Sequence, residues 1–305
     1  MNNANRFITR VHDTDIHWVE LGQGRPLVLL HGLHDSHRTW RRVGPALARG
    51  RRVIMPDLPG HGLSARPDAS YELGWYAQVM GAWPDALDLD DVDVVGHSFG
   101  GGLAQYLLFE HRARIRRLGL IAAGGLGTEV GLGLRLISLA GLVEHLGQPF
   151  LGPATRIVMR TMGGFFDPED VAWLSWVNSM PGSAMALGRT VRDVIDWRGQ
   201  KRRFFDHAGA LGALPPVALY WGDRDGVIPM AHARAFESLV DGAVVTHFPG
   251  CGHFPQHERA EELVAALGLF IEAPALQAAG LRAAAPRPPP RLAGSSDLPP
   301  PMAPH

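Results

Sequence analysis

The chain has 305 residues, of which 46% are hydrophobic and 19% are charged, and its formal net charge is −1. This composition is sufficient for a sizeable core and argues against global disorder. A net charge near zero argues against a nucleic-acid partner, since such proteins carry a basic face, and it provides no general attraction to an anionic membrane.

The N-terminus, the apolar stretches and the cysteine content set further limits. The opening segment MNNANRFITRV has no apolar run of the kind found in secretory signals. The most apolar long stretch, 118–146, is interrupted by Glu129, Arg135 and Glu144, so no membrane span is expected. Cys251 is the single cysteine of the sequence, which excludes an intrachain disulfide. These features predict a cytoplasmic protein.

Short β-rich runs alternate with helical patterns along most of the chain. Several of these runs are continuously apolar, which is typical of strands that are covered on both faces. The predicted strands are 16–21, 26–31, 52–56, 92–96, 118–122, 217–221 and 244–248, and the predicted helices are 39–48, 71–87, 101–111, 232–239 and 260–270. The alternation predicts an α/β fold with a mainly parallel central sheet flanked by helices.

Two segments depart from this alternation. The interval from about 124 to 213 contains no convincing strand and is rich in large apolar side chains, so we interpret it as a helical cap inserted into a domain that spans 1–273. Segment 274–305 is rich in proline and alanine and is predicted to be a disordered tail, because it cannot bury enough apolar surface to offset its ordering entropy.

The run GHSFG at 96–100 lies between a predicted strand and a predicted helix. A sharp turn in that position holds its central serine in a strained conformation, and small flanking residues let the strand and helix backbones approach each other. The run therefore predicts that Ser98 is an exposed nucleophile. A serine hydroxyl is a weak nucleophile and requires a base.

Two loops that follow predicted strands offer the base and its orienting acid. His253 lies in the glycine-rich loop after the last predicted strand, and His257 is a weaker competitor nearby. Asp223 and Asp225 both follow the preceding predicted strand. The chain order serine, aspartate, histidine is the order of the nucleophile-elbow hydrolases.

Five motifs together resemble the α/β-hydrolase superfamily over roughly residues 16–272. They are LHGL at 30–33, DLPGHGLS at 57–64, GHSFG at 96–100, WGDRDGVIP at 221–229 and GCGHF at 250–254. The resemblance implies that Asp225 orients His253 and that the helical insertion caps the site. It also implies an oxyanion hole made by the backbone N–H groups of Leu33 and Phe99, which would stabilise charge developing on a carbonyl oxygen.

Candidate pocket residues come from the elbow, the histidine loop and the insertion. They are His97, Phe165, Trp173, Trp176 and Phe254. Their aromatic character predicts a lipophilic small-molecule substrate. The histidines are scattered and the one cysteine has no partner, so neither a metal nor an organic cofactor is expected.

The sequence thus predicts a carboxylesterase-like serine hydrolase that forms an acyl-enzyme on Ser98. A carbon–carbon bond hydrolase of ring-cleavage products is the alternative; such relatives often carry GNSMG at the elbow and tryptophan after the histidine, where this chain has His97, Phe99 and Phe254. An acyltransferase and a receptor-like member with little turnover also stay open. The serine at the elbow disfavours dehalogenases and epoxide hydrolases, which use an aspartate nucleophile.

Overall fold

The computed structural model describes residues 4–139, 141–162, 164–208, 213–273 and 280–281. The strands are β1 (Asn5–Val11), β2 (Thr14–Leu21), β3 (Arg25–Leu30), β4 (Arg51–Pro56), β5 (Val92–His97), β6 (Ile115–Ile121), β7 (Ile195–Asp196), β8 (Gly199–Gln200), β9 (Val217–Gly222), β10 (Val240–Asp241), β11 (Val244–Phe248) and β12 (Gly280–Leu281).

Eight of these strands form one sheet, in the order β1-β2-β4-β3-β5-β6-β9-β11. Strands β4, β3, β5, β6, β9 and β11 pair in parallel, while β1 and β2 extend one edge of the sheet by antiparallel pairing. The short strands form two separate pairs, β7 with β8 and β10 with β12. The predicted α/β class with a mainly parallel central sheet is confirmed.

Helices follow most of the parallel strands. They are α1 (Gly44–Leu47), α2 (Leu73–Ala82), α3 (Phe99–Glu110), α4 (Leu132–Ile137), α5 (Leu142–Leu146), α6 (Gln148–Thr161), α7 (Pro168–Asn178), α8 (Ser183–Val194), α9 (Ala231–Leu239), α10 (Pro255–Glu258) and α11 (Ala260–Glu272). Helices α4–α8 lie between β6 and β9, inside the interval predicted as a cap. Within the described part of the chain, no helix is both long and apolar enough to cross a bilayer.

The predicted disordered tail, 274–305, lies outside the described residues except at Gly280 and Leu281. These two residues pair antiparallel with Asp241 and Val240.

Two local departures from the sequence-based prediction have clear physical reasons. Strand β1 was not predicted, because it is an edge strand with most of its side chains exposed and therefore lacks an apolar run. The predicted helix 39–48 is instead a 3-10 turn, His37–Trp40, followed by the short α1. Pro45 has no N–H to donate to a preceding carbonyl, so it is tolerated only in the first turn of a new helix.

The sheet is buried on both faces, which explains its continuously apolar strands. In β3, Leu27 and Leu29 pack into the cluster that contains α11, whereas Val28 and Leu30 pack into the cluster that contains α3. Successive side chains of a strand point to opposite faces, so both faces demand apolar residues. The described layers are therefore helix, sheet and helix.

Glycines let α3 pack unusually close to the sheet. A Cβ added at Gly100 would lie 2.4 Å from the carbonyl oxygens of Leu30 and His31, and one at Gly101 would lie 2.5 Å from the Cβ of Ala123. At Gly102, by contrast, the nearest atom would be 3.7 Å away. Close contacts with neighbouring atoms thus require glycine at positions 100 and 101, but not at position 102.

We predict that Gly100→Ala destabilises the fold and Gly102→Ala does not. The added methyl group at Gly100 must displace backbone, which should lower the free energy of unfolding by about 1–3 kcal/mol. At Gly102 alanine has room and favours the helix, so its free energy of unfolding should stay within about 1 kcal/mol of the native protein or rise. Urea denaturation of both variants tests this, and an equal loss in the two would contradict the packing argument.

Candidate active site

Ser98 sits at the tip of a sharp turn between β5 and α3. Its backbone has φ 52° and ψ −118°, a conformation that L-residues rarely adopt and that costs on the order of 1–3 kcal/mol. Four hydrogen bonds hold it there: its N–H donates to Ile121, and its carbonyl accepts from the N–H groups of Gly101, Gly102 and Gly124. The strained turn is therefore fixed from both sides of the peptide unit.

The hydroxyl of Ser98 ends a chain of hydrogen bonds through His253 to Asp225. Ser98 Oγ lies 3.1 Å from His253 Nε2, and His253 Nδ1 lies 2.8 Å from Asp225 Oδ2. When Nδ1–H donates to the carboxylate, the lone pair on Nε2 faces the serine hydroxyl and can accept its proton. His253 and Asp225 are only 6% and 9% exposed, so water competes little for these bonds.

Neighbouring parallel strands bring the two loops together. Asp225 follows β9 and His253 follows β11, and the carboxyl ends of paired parallel strands lie at the same edge of a sheet. The N–H of Arg224 donates to the Cys251 carbonyl at 2.9 Å, which joins the two loops directly.

The two aspartates of the β9 loop have different partners. Asp225 also accepts, through Oδ1, the N–H groups of Val227 at 2.8 Å and Ile228 at 2.9 Å, which fix the orientation of its carboxylate. Asp223 accepts the N–H of Gly250 at 2.7 Å and contacts no histidine ring. The sequence offered both as the acid; the structure brings Asp225 to His253.

His97 holds the backbone of the loop that carries His253. Its Nε2 donates to the carbonyl of His253 at 2.9 Å, and its ring packs against the rings of His253 and Phe254. Burial, together with the nearby His253, holds the pKa of His97 well below its usual range. A neutral imidazole is therefore available as a donor to the loop backbone.

A cavity of about 60 Å³ opens beside Ser98. Its wall is largely apolar and includes Leu33, Phe99, Phe109, Leu134, Phe204 and Ile228. Its polar part comes from Gln105, Gln200 and Arg202. The Arg202 guanidinium is already 2.6 Å from Asp193, so the cavity wall brings no unpaired cation among the described residues that form it.

The five residues predicted to form the pocket do not line this cavity, so their role in substrate binding stays a prediction. His97 faces the histidine loop, and Phe165 and Phe254 pack in a ring cluster with Phe166. Trp173 donates to Ser36 and lies under Arg38, and Trp176 is half exposed. The physical reason is that α6 and α7 pack over the loop that starts at Ser36, while α4 and the β7–β8 hairpin close the cavity.

Sequence reasoning missed the part of the wall that α3 supplies. Gly102, Gln105, Tyr106 and Phe109 lie four, seven, eight and eleven residues after Ser98, and each is three or four residues from another member of the set. Such spacings put side chains on one helix face. That periodicity was visible in the sequence and is the signal that would have found them.

The two residues predicted to supply the oxyanion-hole amides, Leu33 and Phe99, both lie beside Ser98. Phe99 is the first residue of α3, where helix N–H groups have no intrahelical acceptor, and Leu33 lies in the loop after β3. Both residues line the cavity that contains Ser98. A Cβ at Gly32 would lie 3.2 Å from the Cβ of Ser98, so this loop runs directly against the elbow.

Asp57 holds the loop after β3 through buried hydrogen bonds. Its buried carboxylate accepts from His17 Nδ1, from both Nδ1 and the backbone N–H of His37, and from the N–H of Leu63. Burial alone would oppose its ionisation, but the charge of His37 and the bonds from both histidines hold the pKa of Asp57 well below its usual value. His31 also stays in this framework, because its Nε2 accepts the N–H of Leu58 at 2.9 Å. The contacts of His31 and Asp57 therefore stabilise the loops around the site.

His17, His37 and Asp57 have the residue types of a metal site, and their ligand atoms lie within 4.8 Å of one another. In this arrangement His17 Nδ1–H and His37 Nδ1–H both donate to the carboxylate of Asp57, and backbone N–H groups donate to the same carboxylate oxygens. Hydrogen bonding accounts for the cluster, and a metal would have to displace these protons.

Comparison with known proteins agrees with this architecture. The profile of the family described as "alpha/beta hydrolase fold" matches residues 25–260. An uncharacterized protein of Mycobacterium tuberculosis is 34% identical over 261 residues, which are 82% of this chain and 76% of that protein.

A further relative and a solved structure extend the comparison. The 2-hydroxy-6-oxo-2,4-heptadienoate hydrolase of Pseudomonas putida is 40% identical over 295 residues, which are 90% of this chain and 99% of that enzyme. The structure of the epoxide hydrolase CorEH without ligand superposes with a TM-score of 0.72 at 24% identity, covering 88% of this chain and 99% of that one. At that identity the superposition speaks for the fold alone.

Proposed function

The chain belongs to the α/β-hydrolase fold family, and from this premise we propose that it is a serine hydrolase that cleaves a carboxylic ester with an apolar acyl group. The observation that carries the proposal is the continuous hydrogen-bond chain from Ser98 through His253 to Asp225. Nucleophile, base and orienting acid within hydrogen-bond reach are the arrangement that acyl transfer requires.

The reaction begins when Ser98 Oγ attacks the ester carbonyl and His253 Nε2 takes its proton. Asp225 keeps the Nδ1–H tautomer and stabilises the imidazolium. The N–H groups of Leu33 and Phe99 donate to the oxyanion, and each such donor lowers the barrier by about 3 kcal/mol. His253 then gives its proton to the leaving alcohol, and a water molecule repeats the sequence on the acyl-enzyme.

The cavity supports a neutral, apolar acyl group. Aromatic and aliphatic side chains form most of its wall, and the one guanidinium there, Arg202, is paired with Asp193. A substrate carboxylate placed in this cavity would have to compete with Asp193 for its partner, since burying an unpaired charge is costly. An alkyl or aryl acyl chain meets no such penalty.

Carbon–carbon bond hydrolysis is the second candidate, and the heptadienoate hydrolase of Pseudomonas putida favours it by its 40% identity over almost its whole length. The same three side chains would serve that reaction. The substrate named for that relative carries a carboxylate, and the pairing of Arg202 with Asp193 is the feature of this chain that disfavours such a group.

We predict that a fluorophosphonate probe labels the protein at Ser98. The probe reacts with a serine that a neighbouring base activates, so Ser98→Ala should abolish labelling and His253→Ala should reduce it strongly. Peptide mass spectrometry identifies the modified residue. Labelling that persists in Ser98→Ala would remove the nucleophile assignment, and an unlabelled native protein would favour a receptor-like role instead.

The two neighbouring aspartates provide a matched pair for the acid. Asp225→Asn should keep the fold but lower kcat on the order of 10³–10⁴-fold, because an amide favours the wrong imidazole tautomer. Asp223→Asn should cost far less, because Asp223 bonds only the backbone of the neighbouring loop. Steady-state kinetics with a p-nitrophenyl ester, and circular dichroism to verify folding, compare the two. A severe loss in Asp223→Asn with near-native Asp225→Asn would move the acid to Asp223.

The acyl preference separates the two candidate reactions. For p-nitrophenyl esters, kcat/KM should rise from acetyl to longer acyl groups by up to about fourfold per methylene, which corresponds to roughly 0.8 kcal/mol of burial. Purified 2-hydroxy-6-oxo-2,4-heptadienoate should be turned over more slowly than the best ester. A steady fall of kcat/KM from acetyl upward, or a preference for the dienoate, would contradict the proposed substrate class.

A further inference from the structure

Large apolar side chains are exposed on the outer side of helices α4–α7. Phe150 is 68% exposed, Ile157 65%, Leu132 61% and Trp176 51%. We call this surface the cap face; it comprises Leu132, Leu136, Leu146, Phe150, Ile157 and Trp176. Exposed apolar side chains that form a contiguous patch mark a surface that binds another apolar surface.

Hydrogen bonds hold the helices of the cap face side by side. Gln148 at the start of α6 donates to the carbonyls of Ser179 and Met180, and Ser175 of α7 donates to the carbonyl of Gly152. Trp176 therefore lies beside the N-terminal half of α6. Helix α5 ends at Leu146, and the single residue Gly147 separates it from α6. Phe150 lies in the first turn of α6.

The outward face of α6 divides into two stripes. Phe150, Ala154 and Ile157 are spaced by four and three residues, so they share one stripe of the exposed side. Arg156 and Arg160 are four residues apart and share the next stripe. The opposite side of the helix is buried at Leu151 and Thr155, so the apolar stripe is additional to the one that packs on the protein.

The exposed charge of helices α4–α6 is positive, and the exposed acidic residue of α7, Glu169, is bound by Arg38. Between 132 and 161 the sequence has one acidic residue, Glu144, and its carboxylate is bound by Arg189 and Arg192. Arg156 and Arg160 are exposed on the same helix as the apolar stripe. Arginine beside phenylalanine and isoleucine on one exposed helix is typical of helices that lie in the headgroup region of an anionic bilayer.

Helix α4 connects the cap face to the cavity. Leu134 lines the cavity beside Ser98, while Leu132 and Leu136 of the same helix are exposed to the outside. Helix α4 therefore has side chains both in the cavity wall and on the exposed surface.

We propose that the cap face docks on an anionic lipid surface, from which a lipophilic substrate reaches the cavity past α4. The second half of this statement rests on the proposed function, whereas the docking does not. A second copy of the chain is the poorer occupant, because a two-fold contact through α6 would bring Arg156 and Arg160 near their own copies. The net charge of −1 predicted no such attraction; the local distribution of charge is what differs.

Cosedimentation with vesicles tests the docking on the full-length Ser98→Ala chain, so that the result does not depend on ester cleavage. The vesicles are phosphatidylcholine alone and phosphatidylcholine mixed with phosphatidylglycerol, each at low and high salt. We expect preferential binding to the mixed vesicles that weakens with salt.

Two double variants separate the apolar and charged contributions. Phe150→Ser with Ile157→Ser should weaken binding to the mixed vesicles on the order of tenfold or more. Arg156→Gln with Arg160→Gln should weaken it on the order of tenfold and leave the weak binding to phosphatidylcholine unchanged. Leu269→Ser and Arg49→Gln, exposed residues of α11 and of the loop after α1, are the matched controls and should bind as the parent does. Thermal midpoints verify that each variant is folded.

Three outcomes would overturn the proposal. The first is a parent chain that sediments with neither vesicle. The second is a pair of cap-face variants that bind as tightly as the controls. The third is a dimer, seen by sedimentation velocity, that the Phe150→Ser and Ile157→Ser changes dissociate while vesicles bind nothing; this would assign the cap face to a second copy. Absence of vesicle binding by the Ser98→Ala chain, while the native chain cleaves p-nitrophenyl esters, separates this failure from failure of the proposed function.

Discussion

The whole site depends on one strained peptide unit, that of Ser98. A residue with a side chain is held at positive φ by hydrogen bonds on its N–H and its carbonyl, and these come from β6, from α3 and from Gly124. The strained backbone conformation persists only because several hydrogen bonds fix it. The glycines next to it serve the same constraint, since a methyl group at Gly96, Gly100 or Gly101 would collide with backbone or with Ala123. The exposed hydroxyl is thus a consequence of how tightly strand and helix are joined.

The catalytic candidates were predictable from the sequence because each one lies in the turn or loop that follows a strand. Strand ends are marked by apolar runs that stop at glycine or aspartate, and parallel strands deliver those ends to one edge. Ser98, Asp225 and His253 all have such signals. The choice of Asp225 over Asp223 came from the family resemblance, and in the structure Asp225 contacts the imidazole whereas Asp223 accepts the amide N–H of Gly250.

The cavity wall was much harder to predict, and the reason is physical. Aromatic residues are abundant in the insertion, but composition does not say which face of a helix is turned inward. Trp173 contacts Arg38 and Ser36, and Phe165 packs with Phe166, so neither side chain lines the cavity. The wall is built instead by the helix that already carries Ser98. The net charge of −1 likewise does not report the local distribution of charge, because the exposed charges of α6 are both arginine.

The loop that carries His253 is positioned almost entirely through its main chain. The N–H of Arg224 donates to the Cys251 carbonyl, His97 donates to the His253 carbonyl, and Gly250 donates to Asp223. None of these contacts uses the imidazole of His253 itself. The hydrogen bonds that place the loop backbone are therefore distinct from the contacts that the His253 ring makes with Asp225, Ser98 and His97. A scaffold with this division is open to redesign, because a new side chain at residue 253 would leave the donors and acceptors of those three hydrogen bonds unchanged.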